Sequence, residues 1–421
     1  MIDNVTIENY RSIARADVDL GPLTVLVGRN GAGKSTFIDA MRLIRDALHF
    51  NLETAIDRRD GMPSLCRWTP TGRSLDIGVR LHARWRDHEG DLALILARTP
   101  KTGYRVKREY AVVNYPPPGA FDGFIRKAAA LIVGMDANSY ETITSSDRAE
   151  PDYGPGTEVL DVIDGKWRSG WPDIRLVETA ADPLSLQLAS QTGYNFGLSE
   201  LRKHLQRATF YSIFPNTLRD PKKPSSDTIL NEHGENLGTA LRHIMNHQSP
   251  WKADLIAVMQ RLVGDVVDAR VKSVGGYLVT ELKHDSHAKR DKWFNLSQES
   301  DGTLRMLGLL VAIYQDPPPS IIVIEEPELT IHPGALAILA DILREASGRT
   351  QVLLTTQSPD LVSFFKADEI RVVERVDGVT EIGMIDETQR DAIEQHLFTG
   401  GELLRIEGLR RREPAGEPAS A

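Results

Sequence analysis

Thiols are nearly missing from this sequence, with Cys66 the single cysteine in 421 residues. That excludes a disulfide framework and a structural thiolate zinc site. No apolar run approaches the length of a membrane span, and the opening MIDNVTIENY carries acidic residues where a secretory leader has a basic and then an apolar stretch. The expectation is a cytoplasmic protein with no membrane association. Basic charge is in deficit: a formal net charge of −9 argues against general affinity for nucleic acid and leaves only local basic stretches to consider. Sustained heptads, internal repeats and low-complexity segments are also lacking, apart from the closing RRREPAGEPASA, which reads as disordered. A hydrophobic content of 41% is ordinary for a globular protein, and the chain is too long for one core, so two or three lobes are expected.

What the sequence does have is one glycine-rich loop of defined spacing. GRNGAGKST, residues 28 to 36, fits G-x-x-x-x-G-K-[ST] from Gly28 to Ser35. Flexible glycines cost chain entropy that a bound group must offset. Here the backbone N–H groups of Gly28, Arg29, Asn30, Gly31, Ala32 and Gly33 are expected to curl around the β-phosphate of ATP. Lys34 is expected to reach the β- and γ-phosphates, the Ser35 hydroxyl to take a place on Mg²⁺, and Thr36 to complete the ATP-binding set. The flanks agree with a strand, loop and helix. LTVLVG is a short apolar run, and Phe37, Ile38, Met41, Ile44 and Leu48 fall on one helical face after the loop. The helix N-terminus adds a favourable dipole for the anion, and Lys34 is expected to face solvent when the loop is empty.

Further along, NVTIENY, ADVDL and LTVLV read as strands, and LDIGVRLHARW, LALILART and YRVKREYAVV as an antiparallel meander. Residues 116 to 175 are rich in Pro, Gly, Asp and Ser and read as long loops of an insertion. Helical periodicity returns over 184 to 208, followed by a strand in ATFYSIFP, helices in NLGTALRHIMN and WKADLIAVMQRLVG, and a hairpin in DARVKSVGGYLVTELKH.

PSIIVIEEPELTIHP, residues 319 to 333, places two carboxylates after four apolar β-branched residues, Ile321 to Ile324. This is a Walker B pattern on a buried parallel strand. Glu325 would hold the metal, and Glu326 would orient or deprotonate the attacking water. On its own, a pair of glutamates at a strand end could also open a solvated loop. Between the two motifs, Ser300, Asp301 and Gly302 open a strongly apolar helix that runs towards the prolines at 317 to 319. Ser300 could be no more than its N-cap.

The ordered series resembles the ABC-type ATPases of the SMC/RecF kind, and the stand-alone bacterial AAA family of ATPases that share that head. The resemblance rests on IENYRSI with Arg11, the loop at 28 to 35, ESDGT at 299 to 303, IEEPELTIHP at 324 to 333 and TTQSPDL at 355 to 361. It implies an α/β P-loop NTPase of ABC-ATPase type: a mixed sheet with an N-terminal antiparallel meander and a helical insertion. It implies lobes at 1–115 and 226–405, an insertion at 116–225 and a disordered tail at 406–421. It also implies that Arg11 lies near the phosphates, that Gln357 is the switch residue, and that Ser300 and Gly302 touch the γ-phosphate bound by the opposite subunit. Leu329 to Pro333 would line the seam of an ATP-bridged homodimer.

Three departures shape the expected function. Gln357 stands where the family commonly has histidine, no glutamine in the first meander supplies a Q-loop ligand, and neither a coiled coil nor a TOPRIM-like acidic module is present. The implied protein is a slow ATP-dependent switch or sensor controlling a separately encoded effector, a nuclease or toxin, as in anti-phage defence. The alternative is an ATP-driven DNA clamp in repair or chromosome maintenance, favoured by the basic stretches KTGYRVKRE and LRDPKK. The set His284, Asp285, His287 and Asp291 imitates metal spacing but reads as a solvated hairpin tip, and Gly234 and Asn236 read as helix capping.

Overall fold

Five consecutive buried residues, Leu23 to Val27, form a strand covered on both faces, and the strands that pair with it come from the far end of the chain. The computed structural model describes residues 1–99, 103–114, 157–163, 166–167, 196–246, 251–285 and 292–412. The strands in chain order are β1 (Ile2–Tyr10), β2 (Ile13–Asp19), β3 (Leu23–Val27), β4 (Trp68–Thr69), β5 (Gly72–Arg73) and β6 (Asp76–Trp85). Then come β7 (His88–Thr99), β8 (Gly103–Asn114), β9 (Thr157–Ile163), β10 (Lys166–Trp167), β11 (Thr209–Tyr211) and β12 (Val266–Val274). The remainder are β13 (Tyr277–His284), β14 (Lys292–Asn295), β15 (Ile321–Glu325), β16 (Gln351–Thr356), β17 (Ile370–Val376) and β18 (Val379–Met384). Helix α1 spans Lys34–His49.

Two units divide the chain, one made of 1, 18–38 and 207–421, the other of 2–17 and 39–206. These units do not follow linear lobes broken at 115 and 225. The reason is strand pairing: β3 joins β16 and β17, so the loop strand belongs with the C-terminal half, while the meander forms the other unit.

In the first unit β17, β3, β16, β15 and β11 run parallel in that order, and β18 pairs antiparallel with β17. The near-continuous apolar sequences of β3, β15 and β16 suit strands buried on both faces. The helix Asp301–Ile313 is apolar almost all round and is buried from Thr303 to Ile313, inside one core shared with Tyr211, Ile324, Leu339 and Leu354. β12, β13 and β14 form a separate small antiparallel sheet.

The second unit is the antiparallel meander. β1 pairs with β6, then β7, β8, β9 and β10 follow in sequence order. Its exposed face carries matched charges, with Arg80 on Asp91, Arg84 on Asp3, and Lys107 of the basic run on Asp76. The insertion loops over 116–156 and 168–175, and the helical reading over 184–195, lie outside the described residues. At the C-terminus the helix Gly400–Ile406 is followed by buried Leu409 and by an Arg411–Glu381 ion pair. Residues 406 to 412 are therefore ordered, contrary to the tail reading, and 413–421 lie outside the described residues. No helix among the described residues is long and apolar enough to cross a membrane.

Candidate nucleotide site

Register brings the motif ends into line. Glu325 of β15 sits opposite Thr355 of β16, and Thr356 sits opposite Val27 at the end of β3. The carboxyl ends of three parallel strands thus converge where the glycine loop begins, the usual ligand position of an open α/β sheet.

Two glycines of that loop are required by neighbours far away in sequence. A Cβ on Gly28 would lie 2.2 Å from the Val373 carbonyl oxygen. At Gly33, whose φ is 116°, a Cβ would lie 2.2 Å from the Thr380 hydroxyl. Thr380 is fully buried and donates that hydroxyl to the Ala32 carbonyl at 2.7 Å, so it braces the loop from behind. Gly31, at φ 75°, has open space where a Cβ would be. Lys34 does not face solvent. It is 6% exposed, and its ammonium donates to the carbonyls of Gly28 at 2.6 Å and Arg29 at 3.1 Å. A cation starting α1 finds its nearest acceptors in the loop's own carbonyls, which fold the side chain back. Burial lowers its pKa against the attraction of Glu326, Glu328 and Glu325.

The Ser35 hydroxyl donates to Glu325 Oε2 at 2.7 Å. Glu326 adopts φ 46°, a left-handed conformation costly for a residue with a side chain. Its N–H reaches the Thr355 carbonyl at 3.0 Å, and its carbonyl accepts from Arg305 Nη2 at 2.6 Å. Beyond Pro327, Glu328 accepts the Thr356 hydroxyl at 2.5 Å, while its Oε2 is buried without a hydrogen-bond partner among the described residues. Burial raises the Glu328 pKa and the Glu326 charge adds to it, against the Thr356 bond. Gln357 follows Thr356 directly and is partly exposed.

Ser300 is the N-cap of the helix Asp301–Ile313, accepting the Thr303 N–H at 3.1 Å. Gly302 meets the loop after Glu326, since a Cβ there would lie 2.8 Å from the Thr330 carbonyl oxygen. Leu329 is 42% exposed. Arg11 lies in the meander unit, where its guanidinium pairs with Asp39 of α1 at 3.1 Å. Asp39 also accepts from Tyr10 at 2.7 Å and Arg59 at 2.8 Å.

His284 is not at a solvated tip. Its ring pairs with Asp265 at 2.9 Å and Glu299 at 2.8 Å, while 286–291 lie outside the described residues. Asn236 donates to the carbonyls of Asp227 and Ile229 and accepts from the Asn231 N–H, fixing that loop. A Cβ on Gly234, at φ 81°, would strike Leu218 at 2.4 Å.

No sequence motif singles out Arg305, Glu328 or Thr380. Arg305 had a signal, a lone cation within the apolar DGTLRMLGLLVAI, which must find acceptors when buried. Thr380 had none, because its role depends on a neighbour in space.

The donor set fits Mg²⁺ and a triphosphate. A serine hydroxyl beside a carboxylate supplies hard oxygen ligands, and the braced glycine loop at the start of α1 presents backbone N–H groups.

Residues 1–80 match the family described as "AAA ATPase domain", and residues 174–363 match "AAA domain, putative AbiEii toxin, Type IV TA system". Among solved structures, the SMC head bound to the C-terminal winged-helix domain of ScpA superposes with TM-score 0.50 at 13% identity, covering 93% of this chain and 99% of that one. The SMC head domain from Thermotoga maritima gives 0.44 at 14% identity, over 91% and 99%. An OLD nuclease from Thermus scotoductus is 43% identical over 44 residues, which are 10% of this chain and 8% of that nuclease. The chain thus spans a small part of that relative. Two AAA-type ATPase family models thus match separate parts of this chain, and the fold they fall on is the P-loop ATPase fold of the SMC heads.

Proposed function

We propose that this protein is a Mg²⁺-dependent ATP hydrolase that dimerises on ATP and acts in the cytoplasm as a slow switch controlling a separately encoded effector. The observation that carries the hydrolase reading is the 2.7 Å contact between Ser35 and Glu325, which joins the glycine loop to the acidic strand end. Loop N–H groups and Lys34 hold the β- and γ-phosphates. Ser35 and Glu325 would hold Mg²⁺, which when bound would neutralise phosphate charge. Glu326 accepts a proton from water as its oxygen bonds to the γ-phosphorus and the bond to the β–γ bridging oxygen breaks. Gln357 offers the γ-phosphate a neutral amide.

Ser300 and Gly302 complete the site of a second copy, and exposed Leu329 fits a seam position. The AbiEii-type description and the short nuclease match support a defence setting with a nuclease or toxin as effector. The alternative, an ATP-driven DNA clamp, receives less support because Lys107 of the basic run is already paired with Asp76.

Steady-state hydrolysis by the purified chain, with Lys34→Ala and Glu326→Gln beside it, tests the reading. Mg²⁺-dependent phosphate release lost in both variants supports it, and equal release in all three removes it. DNA binding that weakens steeply with salt would move the role to the clamp.

A further inference from the structure

The first turns of the helix Asp301–Ile313 touch the acidic loop at two places one turn apart. Gly302 closes on the Thr330 carbonyl, and Arg305 reaches the carbonyl of Glu326. Arg305 is 3% exposed. Its Nη1 donates to Ile213 O at 2.6 Å, its Nη2 donates to Glu326 O at 2.6 Å and lies 3.4 Å from Glu325 O, and its Nε has no hydrogen-bond partner among the described residues. A guanidinium is costly to bury, and among the described residues no carboxylate oxygen bonds it. It is spent instead on three backbone carbonyls, two of them belonging to the paired glutamates. One of these glutamates, Glu326, is held at φ 46°.

From this geometry we infer that Arg305 is a positioning residue that transmits engagement of the Ser300–Gly302 segment to the Glu326 carboxylate of the same chain. The inference rests on the hydrolase reading above. Ser300 caps the helix that carries Arg305, so a shift of that segment moves the guanidinium along the helix axis. The guanidinium in turn sets the peptide that aims Glu326. Glu326 is then oriented for water only when a second copy seats against Ser300. The planar fork matters, because it spans Ile213 O and Glu326 O at once, whereas one ammonium satisfies a single carbonyl.

The test compares wild type, Arg305→Met and Arg305→Lys for MgATP affinity, thermal melting and single-turnover hydrolysis over a hundredfold range of protein concentration. In the wild type the rate per chain rises with concentration as dimers form. The inference expects Arg305→Met to bind MgATP within about threefold of wild type, to lose hydrolysis tenfold or more, and to show a residual rate flat with concentration. Arg305→Lys is expected to fall between the two and carries the test if the methionine variant does not fold. A merely structural arginine would lower the melting temperature yet leave the concentration dependence intact, and that result overturns the inference. A wild type without hydrolysis overturns the hydrolase reading instead, so the two failures are distinct.

Discussion

Ser35 Oγ and Glu325 Oε2 stand 2.7 Å apart across 290 residues of chain. If both serve one Mg²⁺, losing either removes most of what the pair provides. Ser35→Ala and Glu325→Gln are each expected to cut MgATP turnover by about tenfold or more, roughly 1.4 kcal/mol of barrier or more. The double variant should be little worse than the worse single, because coupled sites are not additive. Hydrolysis against Mg²⁺ concentration measures this, and fully additive losses would separate the two residues.

Lys34 is folded onto the carbonyls of Gly28 and Arg29. Lys34→Ala should therefore weaken nucleotide binding by about tenfold or more and also lower stability modestly, at roughly 1 kcal/mol per hydrogen bond lost. A fluorescent-nucleotide titration beside a thermal melt reads both effects. Unchanged affinity would remove the lysine from the site.

Gln357 tests the slow-switch reading. A histidine can present a charged donor, and charge-assisted bonds are about twice as strong as neutral ones. Gln357→His is expected to leave ATP affinity similar and to raise the single-turnover rate by about tenfold. If the histidine variant loses as much rate as Gln357→Ala, the amide itself is required and the slow-switch argument fails.

His284 links stability to pH. Burial works against its charge, but the bonds and charges of Asp265 and Glu299 outweigh this and raise its pKa above 6.5. A raised folded pKa favours the charged folded form, so the contribution is full below the unfolded value and is lost as pH rises through the folded value. Above the carboxylate range, at about pH 5 and up, the melting-temperature gap between wild type and His284→Asn should be largest at the acid end. It should then shrink towards alkaline pH. A gap that widens instead contradicts the assignment.

The nucleotide loop and the paired glutamates were legible because their residues are contiguous and flanked by clear strand and helix patterns. The division into units was not legible, since β3 finds its partners in β16 and β17 hundreds of residues away. Gly33 was readable as a glycine but its reason was not, because Thr380 fills the space behind it only in three dimensions. From the sequence, Ser300 is either a cap or a contact to a second copy. The fold makes it a cap, and its second role rests on the dimer.

The dimer is accordingly the claim that most needs measurement. Glu326→Gln keeps the shape of the side chain but is a poor proton acceptor, so bound ATP should persist. Light scattering of Glu326→Gln is predicted to give twice the monomer mass with MgATP and the monomer mass without it, and adding Ser300→Arg should restore the monomer in both. The same mass with and without MgATP would contradict an ATP-bridged pair and the account built on it.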